Sequence, residues 1–297
     1  MIEAISLLNV VTKESLDMDM LTTPFFILDS CNWGQIEAVH NSTTYFGQIG
    51  VTITNTVLGT RPVDIVGWVI ASSEEEMDER KNYLNHFVNP LQEIELTYKD
   101  YSITFKPNST IKYSQTKNEN NEVMTKFQIS GTAEDPLFKD AKMNIAKAFE
   151  VKPLFHFPLI IPDGIGIPMG VKELNPNIIV KNKGDVTTGM TIILNAKGRV
   201  VNPTITSANN QKSFKLEATL VENQKVIITT DIGNRNIKSY YDDNVEDYYG
   251  KKDFDSDWLQ AYVGENVFVI SADENTESNL VVEIEFTNKY LEVEECY

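Results

Sequence analysis

The sequence is poor in cysteine and histidine, and this narrows the chemistry that it can support. Its 297 residues include only 2 cysteines, Cys31 and Cys296, and 3 histidines, His40, His86 and His156. Two distant cysteines do not make a disulfide framework, so we expect two free thiols and a reducing compartment. No histidine has a partner at metal-ligand spacing. The sequence therefore predicts no metal site and no cofactor.

Long apolar runs and a surplus of basic residues are also missing. No run approaches the roughly 20 apolar residues that cross a bilayer, and the first residues lack the basic and apolar regions of a secretory signal. Acidic residues number 43 against 26 Lys and Arg, a formal net charge of −17. Within Asp231–Tyr297 there are 17 acidic and 5 basic residues. Because such a field repels phosphate, we predict no stable nucleic-acid binding. The lack of a long apolar run predicts no membrane insertion.

One helix is clearly encoded, in the stretch SSEEEMDERKNYLNHFVNP that begins at Ser72. Ser73 with Glu76 three residues later fits a capping box, and Ser72 with Glu75 offers the same geometry one residue earlier. Three consecutive glutamates suit the positive end of the helix dipole. Pro90 ends the run, because the residue before a proline is disfavoured in the α region. Apolar residues at helical spacing predict one packing stripe: Met77, Leu84, Phe87 and Val88. We therefore predict a helix over about 74–88 that packs against a sheet.

The rest of the first half carries strand patterns. Apolar residues alternate at Val51 and Ile53 and again at Val63 and Ile65, which predicts two strands before the helix, each with one buried face. Four further strands are predicted between the helix and about residue 150. The fold class is therefore mainly β, with an N-terminal sandwich or barrel-like domain that carries one α-helix.

Proline and glycine then mark a domain boundary. Five of the 11 prolines fall within residues 153–176. We predict an N-terminal domain over 1–152, a linker or crossover over 153–176, and a C-terminal domain over 177–297. Short strands separated by polar turns predict that the C-terminal domain is a jelly-roll β-sandwich.

No catalytic arrangement is evident in the sequence. A Ser/His/Asp or Cys/His set does not stand out, and acidic residues are too frequent for their proximity along the chain to carry weight. One acidic segment is rich in aromatic residues that suit contact with a carbohydrate or a partner protein: Tyr240, Tyr241, Tyr248, Tyr249 and Trp258. Packing on the sandwich or on a neighbouring subunit is the interpretation we favour for them.

Several segments resemble the siphophage distal tail proteins, the Dit family. In RPVDIVGWVIASSEEEMDERKNYLNHFVNPLQEIELTYKD a strand leads into an acidic-capped helix, an Asn-Pro pair and another strand, and FQISGTAEDPLF is similar to the end of the same domain. The second half is similar to the family's galectin-like β-sandwich in four segments: NKGDVTTGMTIIL, FKLEATLVENQKVIITTDIGNRNI, DWLQAYVGENVFVIS and VVEIEFTNKYLEV. The turn VENQKV and the acidic segment Tyr240–Asp257 depart from the family's pattern.

The resemblance implies a structural role in the virion and no enzymatic activity. Distal tail proteins form a six-fold ring that joins the tail tube to the tip or baseplate, with the N-terminal domain in the ring and the galectin-like domain outside it. The expected partners are further copies in a hexameric ring, the tail tube protein, a tail-tip or tail-associated lysin-type protein, and receptor-binding or baseplate proteins. The expected location is the tail tip or baseplate, after assembly in the host bacterial cytoplasm.

Two alternatives stay open at the level of the sequence. The chain can be read as a host-recognition module whose C-terminal domain binds cell-wall carbohydrate through the segment that contains Tyr240 and Trp258. It can also be read as a secreted glycosidase, which would require an export signal that the first residues do not contain.

Overall fold

The structure is a computed structural model that describes residues 4–20, 25–116, 118–119, 123–147, 149–153, 170–174 and 177–293. Cys296, His156 and most of the expected linker at 153–176 lie outside these residues. The chain divides into two compact units, the first comprising Met1–Ala141 and Tyr290–Tyr297 and the second Lys142–Lys289. Proline and glycine content placed the expected division at 153–176 and gave no sign that the last residues return to the first unit.

The elements are predominantly strands. The first unit contains β1 (Ala4–Asn9), β2 (Ser15–Asp19), β3 (Phe26–Trp33), β4 (Ala38–Thr43), β5 (Thr52–Leu58), β6 (Arg61–Ile70), α1 (Glu74–Phe87), β7 (Ile94–Tyr98), β8 (Tyr101–Pro107), β9 (Lys112–Tyr113), β10 (Met124–Ala133) and β11 (Phe138–Asp140). The second contains β12 (Asn144–Lys147), β13 (Phe149–Pro153), β14 (Gly170–Leu174), β15 (Asn177–Asn182), β16 (Met190–Ala196), β17 (Val200–Ser207), β18 (Ser213–Lys215), β19 (Thr219–Leu220), β20 (Lys225–Thr229), β21 (Asn236–Tyr241), β22 (Asn244–Asp247), β23 (Gly264–Asp273) and β24 (Leu280–Phe286). Two short 3-10 helices (Tyr249–Lys251 and Glu277–Asn279) and β25 (Lys289–Tyr290) complete the set.

Seven strands of the first unit close into a barrel. They pair in the order β8, β7, β1, β2, β3, β6 and β10, and β10 pairs back onto β8 at Gly131–Pro107 and Thr132–Lys106. The contact between β2 and β3 is parallel, and the other pairings around the barrel are antiparallel. β9 flanks β10, while β11 followed by β25 flanks β8. The predicted barrel-like N-terminal domain is thereby confirmed.

The predicted helix is present over Glu74–Phe87. Ser73 is its N-cap, and the Ser73 hydroxyl accepts the N–H of Glu76 at 3.3 Å. The carboxylate of Glu76 accepts the backbone N–H of Ser72 at 2.7 Å, so the reciprocal bond goes to the residue before the cap. That bond is the first cause of a lowered pKa at Glu76. The four side chains of the apolar stripe are buried in the core of the first unit: Met77, Leu84, Phe87 and Val88.

Asn9 fastens the C-terminal end of the helix to strand β1. Its side chain is fully buried, and its Nδ2 donates to the backbone oxygen of Phe87 at 2.9 Å and to Gln92 Oε1 at 2.8 Å. Its Oδ1 accepts the backbone N–H groups of Val11 and Thr12, both at 3.0 Å. Because every polar atom of the buried amide is bonded, these hydrogen bonds offset the cost of burying Asn9 at the helix end.

The second unit is a two-sheet sandwich. One sheet has the order β12, β24, β16, β20, β21, β22, and the other has the order β15, β23, β17, β18, with β19 also on β17. Strands β13 and β14 form a separate pair. Buried residues of both sheets belong to one core cluster, for example Ile192 and Val226 from the first sheet with Ile205 and Phe268 from the second. The predicted C-terminal β-sandwich is confirmed.

One strand prediction is wrong in its burial. Val63 and Ile65 are buried as expected, but Val51 and Ile53 are 58% and 54% exposed. Strand β5 pairs only with β4, in a two-stranded sheet of its own, and every residue of β5 is exposed. Alternation along a sequence reports the period of a strand, and it does not show whether another layer covers the apolar side.

Candidate functional site

The exposed hairpin, which we define as Ala38–Leu58, is the least covered part of the first unit. It contains β4, β5 and the turn between them, and every residue of the two strands except half-buried Thr43 is exposed. None of its 21 residues is Asp, Glu, Lys or Arg, although 23% of the chain is charged. This gap in charge is visible in the sequence and distinguishes the segment, although no site was predicted there.

The most exposed apolar side chains of the exposed hairpin lie in the turn between its strands. The strands themselves carry eight polar residues (His40, Asn41, Ser42, Thr43, Thr52, Thr54, Asn55 and Thr56) and five apolar ones (Ala38, Val39, Ile53, Val57 and Leu58). The turn, residues 44–51, is defined here as the hairpin tip. Phe46 and Ile49 are fully exposed there, at 110% and 102% of their reference area, and Tyr45 is 63% exposed. Large side chains in full contact with water are costly and commonly mark a contact surface.

The hairpin tip is an ordered turn. The backbone N–H of Gln48 donates to the Tyr45 oxygen at 3.0 Å, and the Gln48 side chain accepts the Tyr45 N–H at 3.1 Å. The same side chain donates to Thr52 Oγ1 at 2.9 Å. Gly47 and Gly50 have φ angles of 77° and 88°, which side chains with a Cβ rarely adopt. The turn therefore presents Phe46 and Ile49 in a defined arrangement.

A second surface of the first unit is a groove beside the helix. This helix groove has a volume of about 480 Å³ and is lined, among the described residues, by Leu16, Asp17, Phe25, Phe26, Glu79, Arg80 and Tyr83. Phe25 and Tyr83 are 46% and 40% exposed, so aromatic surface faces the groove. The Tyr83 ring lies 6.1 Å from that of Phe26. Burial, and then the charge of Glu14, raises the pKa of Tyr83, which keeps the phenol neutral.

Arg80 is already engaged at the wall of the helix groove. Its guanidinium lies 4.0 Å from the centroid of the Phe25 ring and donates to the Ile70 oxygen and to the Glu76 carboxylate. The cation is thus neutralised within the chain, and the uncompensated charge at the rim is that of Asp17 and Glu79. Both of these carboxylates are on exposed residues.

The five aromatic residues singled out in the second unit do not form one surface. Tyr240 and Tyr241 are successive residues of β21 and so point to opposite faces of its sheet. The Tyr248 hydroxyl accepts from the buried Gln224 side chain at 3.0 Å. Tyr249 and Trp258 are brought together, with ring centroids 5.7 Å apart.

The Trp258 ring is largely surrounded by its own chain. It lies 5.7 Å from the Phe214 ring, and the guanidinium of Arg235 lies 5.6 Å from its centroid. These neighbours favour a packing role for Trp258, because an indole face that stacks on a sugar must be open. Tyr249, at 49% exposed, is the more accessible ring of the pair.

Metal-ligand and membrane signatures are missing from the described part of the chain. No group of three or more His, Cys, Asp or Glu side chains is placed to hold a metal ion there. No helix in the same residues is long and apolar enough to span a membrane. His40 donates to or accepts from Thr56 Oγ1 at 2.9 Å within the exposed hairpin, and Cys31 is buried.

Two family models match the chain, one in each unit. Residues 18–130 match a phage tail protein RIFT-related domain. Residues 183–290 match the C-terminal domain of a siphovirus-type tail component. A comparison with curated proteins finds no significant match.

Solved structures of phage tail assemblies share the fold. The Dit protein (gp 19.1) of SPP1, described as a paradigm of the hub adsorption apparatus in phages infecting Gram-positive bacteria, superposes with a TM-score of 0.67 at 14% identity, over 96% of this chain and 98% of that one. A chain of the phage P2 baseplate, activated with calcium, gives 0.57 at 10% identity over 99% and 100% of the two chains. The strontium form of that baseplate gives 0.56 at 10% identity over 98% and 99%.

The barrel, the sandwich and the two matched domains define a structural component of a siphovirus tail. More specifically, the chain belongs to the siphophage distal tail protein family, whose members are structural proteins of the distal tail or baseplate. The fold and the family expected from the sequence are both confirmed.

Proposed function

We propose that six copies of this chain form a closed ring that joins the tail tube to the tail tip or baseplate. In this proposal the first unit builds the ring and the second unit offers a docking surface for tail-tip, receptor-binding or baseplate proteins. Assembly takes place in the cytoplasm of the host bacterium, and the role is structural, without catalysis. The net charge of −17 supports passage of DNA through the ring, since acidic surfaces repel the phosphate backbone.

The exposed hairpin is the observation that carries the ring proposal. A two-stranded hairpin without a covering layer is at best marginally stable in water. Native proteins protect free strand edges with lysine, proline or inward-pointing charges, and Ala38–Leu58 contains none of these. A segment of this kind is stabilised when its edges and side chains contact another chain, and closure into a ring leaves no copy with an unpaired edge.

The test removes the exposed hairpin and leaves the barrel. The strands begin at Ala38, which faces Leu58 across the hairpin, and the Glu37 oxygen accepts the Gly59 N–H at 2.8 Å. Replacing residues 39–57 with Asn-Gly therefore closes the chain with a two-residue turn. We expect the wild type to be a hexamer by light scattering and the shortened protein to be a folded monomer. A wild type that stays monomeric at high concentration contradicts the ring. A shortened protein that keeps the hexamer contradicts the role of the exposed hairpin in forming it.

Carbohydrate binding by the second unit is a second candidate function. The exposed ring of Tyr249 beside Trp258 is the observation in its favour. We expect that a Tyr249→Ala variant retains the oligomeric state of the wild type. If the wild type binds isolated host cell walls and this variant does not, the second unit carries a lectin site in addition to its docking role.

A further inference from the structure

We propose that the hairpin tip of one copy inserts Phe46 and Ile49 into the helix groove of the next copy. This inference rests on the proposed ring and assigns the two surfaces that meet in it. The occupant of the groove is thus a second copy of this chain, and the groove is the site that receives the exposed hairpin.

The hairpin tip is suited to insertion because it is apolar and already ordered. Phe46 and Ile49 make no use of their apolar surface within their own chain, since both are fully exposed. The bonds from Gln48 to Tyr45 and Thr52 hold the turn before any contact is made. A preorganised segment loses little conformational entropy on binding, so more of the contact energy appears as affinity.

The helix groove matches the tip in size and in chemistry. Its volume of about 480 Å³ lies in the range of about 300–1,000 Å³ that binding pockets occupy. Phe25 and Tyr83 provide exposed aromatic surface for a phenyl ring, and the buried Phe26 lies behind them. Phe46 and Ile49 are large enough to use this surface and carry no polar group that would be left unpaired.

Charge also selects the exposed hairpin as the occupant. Asp17 and Glu79 lie at the groove, and the chain as a whole has a net charge of −17, so most of its surface would be repelled there. The exposed hairpin is uncharged over all 21 residues and meets no like charge. Tyr45 precedes the apolar pair and Gln48 lies between its two members, and both side chains carry hydrogen-bond donors for the rim carboxylates.

The geometry gives a head-to-tail contact. Tip and groove are made of different residues of the same unit, so one copy can receive a tip and present its own at the same time. Such heterologous contacts generate rings when the rotation closes. A two-fold dimer, in contrast, would use the same patch on both copies.

Two variants separate the partners of this contact, each with a matched control. Phe46→Ser with Ile49→Ser removes the tip, and Leu91→Ser removes a comparably exposed apolar side chain elsewhere in the first unit. Glu79→Trp fills the groove, and Asp78→Trp places the same side chain on the preceding helix residue, which does not line it. All of these positions are exposed within the chain, so each variant should fold and keep the circular dichroism spectrum of the wild type.

The oligomeric state of each full-length protein is then measured by light scattering, alone and in a mixture. We expect the tip variant and Glu79→Trp to be monomers, and both controls to keep the mass of the wild type. Mixed together, the tip variant and Glu79→Trp should form a dimer and no larger species, because only one intact tip meets one intact groove.

Each other outcome overturns part of the proposal in a recognisable way. A tip variant or a Glu79→Trp protein that keeps the wild-type mass, or a mixture that stays monomeric, overturns the tip-and-groove contact. If the protein with residues 39–57 replaced is nevertheless monomeric, the ring proposal stands without it. A monomeric wild type overturns both.

Discussion

The guanidinium of Arg61 lies 3.2 Å from the carboxylate of Glu292, although 231 residues separate them. The Arg61 side chain is fully buried, and its Nε donates to the Pro136 oxygen at 2.8 Å. Its planar group lies 4.8 Å from the centroid of the Phe138 ring. The Glu292 carboxylate also accepts the indole N–H of Trp33 at 3.0 Å. The C-terminal residues are thus held against the barrel by a buried cation.

Replacing Glu292 with Ala should destabilise the first unit by about 1–3 kcal/mol, because the buried guanidinium of Arg61 loses its charged partner and keeps only backbone acceptors. We expect the lower end of this range, since 51% of the Glu292 side chain is exposed and water replaces part of the interaction. The free energy of unfolding in urea, followed by tryptophan fluorescence, measures the change.

The control is Glu274→Ala, which removes the partner of Arg199 in a pair whose two side chains are both 57% exposed. Water screens an exposed pair of this kind, so its loss should change the free energy of unfolding less than the loss of Glu292 does. If the two substitutions have equal effects, Glu292 does not hold the C-terminal residues in the way described.

Gly131→Ala should destabilise the barrel at its closure. A Cβ at this position would lie 2.2 Å from Phe105 Cδ2 and 2.9 Å from the Lys106 oxygen. Overpacking of this type costs about 1–3 kcal/mol. Gly250→Ala is the control, because nothing lies within 4 Å of the corresponding Cβ. We expect a lower urea midpoint for the first variant and an unchanged one for the second, and the reverse order would refute the assigned packing.

Leu84→Ala should reduce the free energy of unfolding by about 2–5 kcal/mol, the cost of removing a buried leucine side chain. Leu84 is fully buried in the core of the first unit. Asn82→Ala on the exposed side of the same helix serves as the control and should change stability by less than about 0.5 kcal/mol. Circular dichroism during urea unfolding measures both, and similar losses would mean that the helix does not pack through Leu84.

Stability should fall as the pH rises above about 10, in part because of Tyr113. Burial raises the pKa of Tyr113 from 10.0 to about 12. The unfolded chain then loses this proton at a lower pH than the native state, so the native state is disfavoured between the two values. Tyr113→Phe should weaken this dependence of the unfolding free energy on pH.

Tyr262→Phe is the matched control for the alkaline experiment, since Tyr262 is 40% exposed and belongs to the second unit. Its effect on the slope should be smaller than that of Tyr113→Phe. A residual slope in Tyr113→Phe is expected from Tyr83, whose pKa is also raised by burial and by Glu14. An unchanged slope in Tyr113→Phe would show that its phenol ionises normally in the native state.

The helix could be predicted from local sequence patterns alone. Ser73, Glu76 and the apolar stripe with Leu84 act within a few residues of one another, so the sequence alone gave the element and its buried side. Strands such as β16 and β24 were also recognisable, because alternation is a local property. The four strands β1–β4 were not anticipated, although β2 alternates strictly between polar residues and the buried Leu16 and Met18.

Local patterns of this kind do not predict contacts between residues that are far apart in the chain. Val51 and Ile53 alternate like core residues yet lie in water, because only tertiary structure determines which strand receives a covering layer. Likewise, the five aromatic residues of the segment from Tyr240 to Trp258 are near one another in sequence. Of the four tyrosines, the structure places the Tyr249 ring in contact with the Trp258 ring.

The sequence by itself determined the β-rich class, the capped helix and the acidic character of this chain, since each depends on composition or on neighbours a few positions apart. Tertiary structure decided that β10 closes the barrel on β8, that Glu292 returns to Arg61, and that Ala38–Leu58 is left uncovered. These features require residues far apart in the chain to meet. Their free energy comes from burial and hydrogen bonding in three dimensions, which no short window of sequence contains.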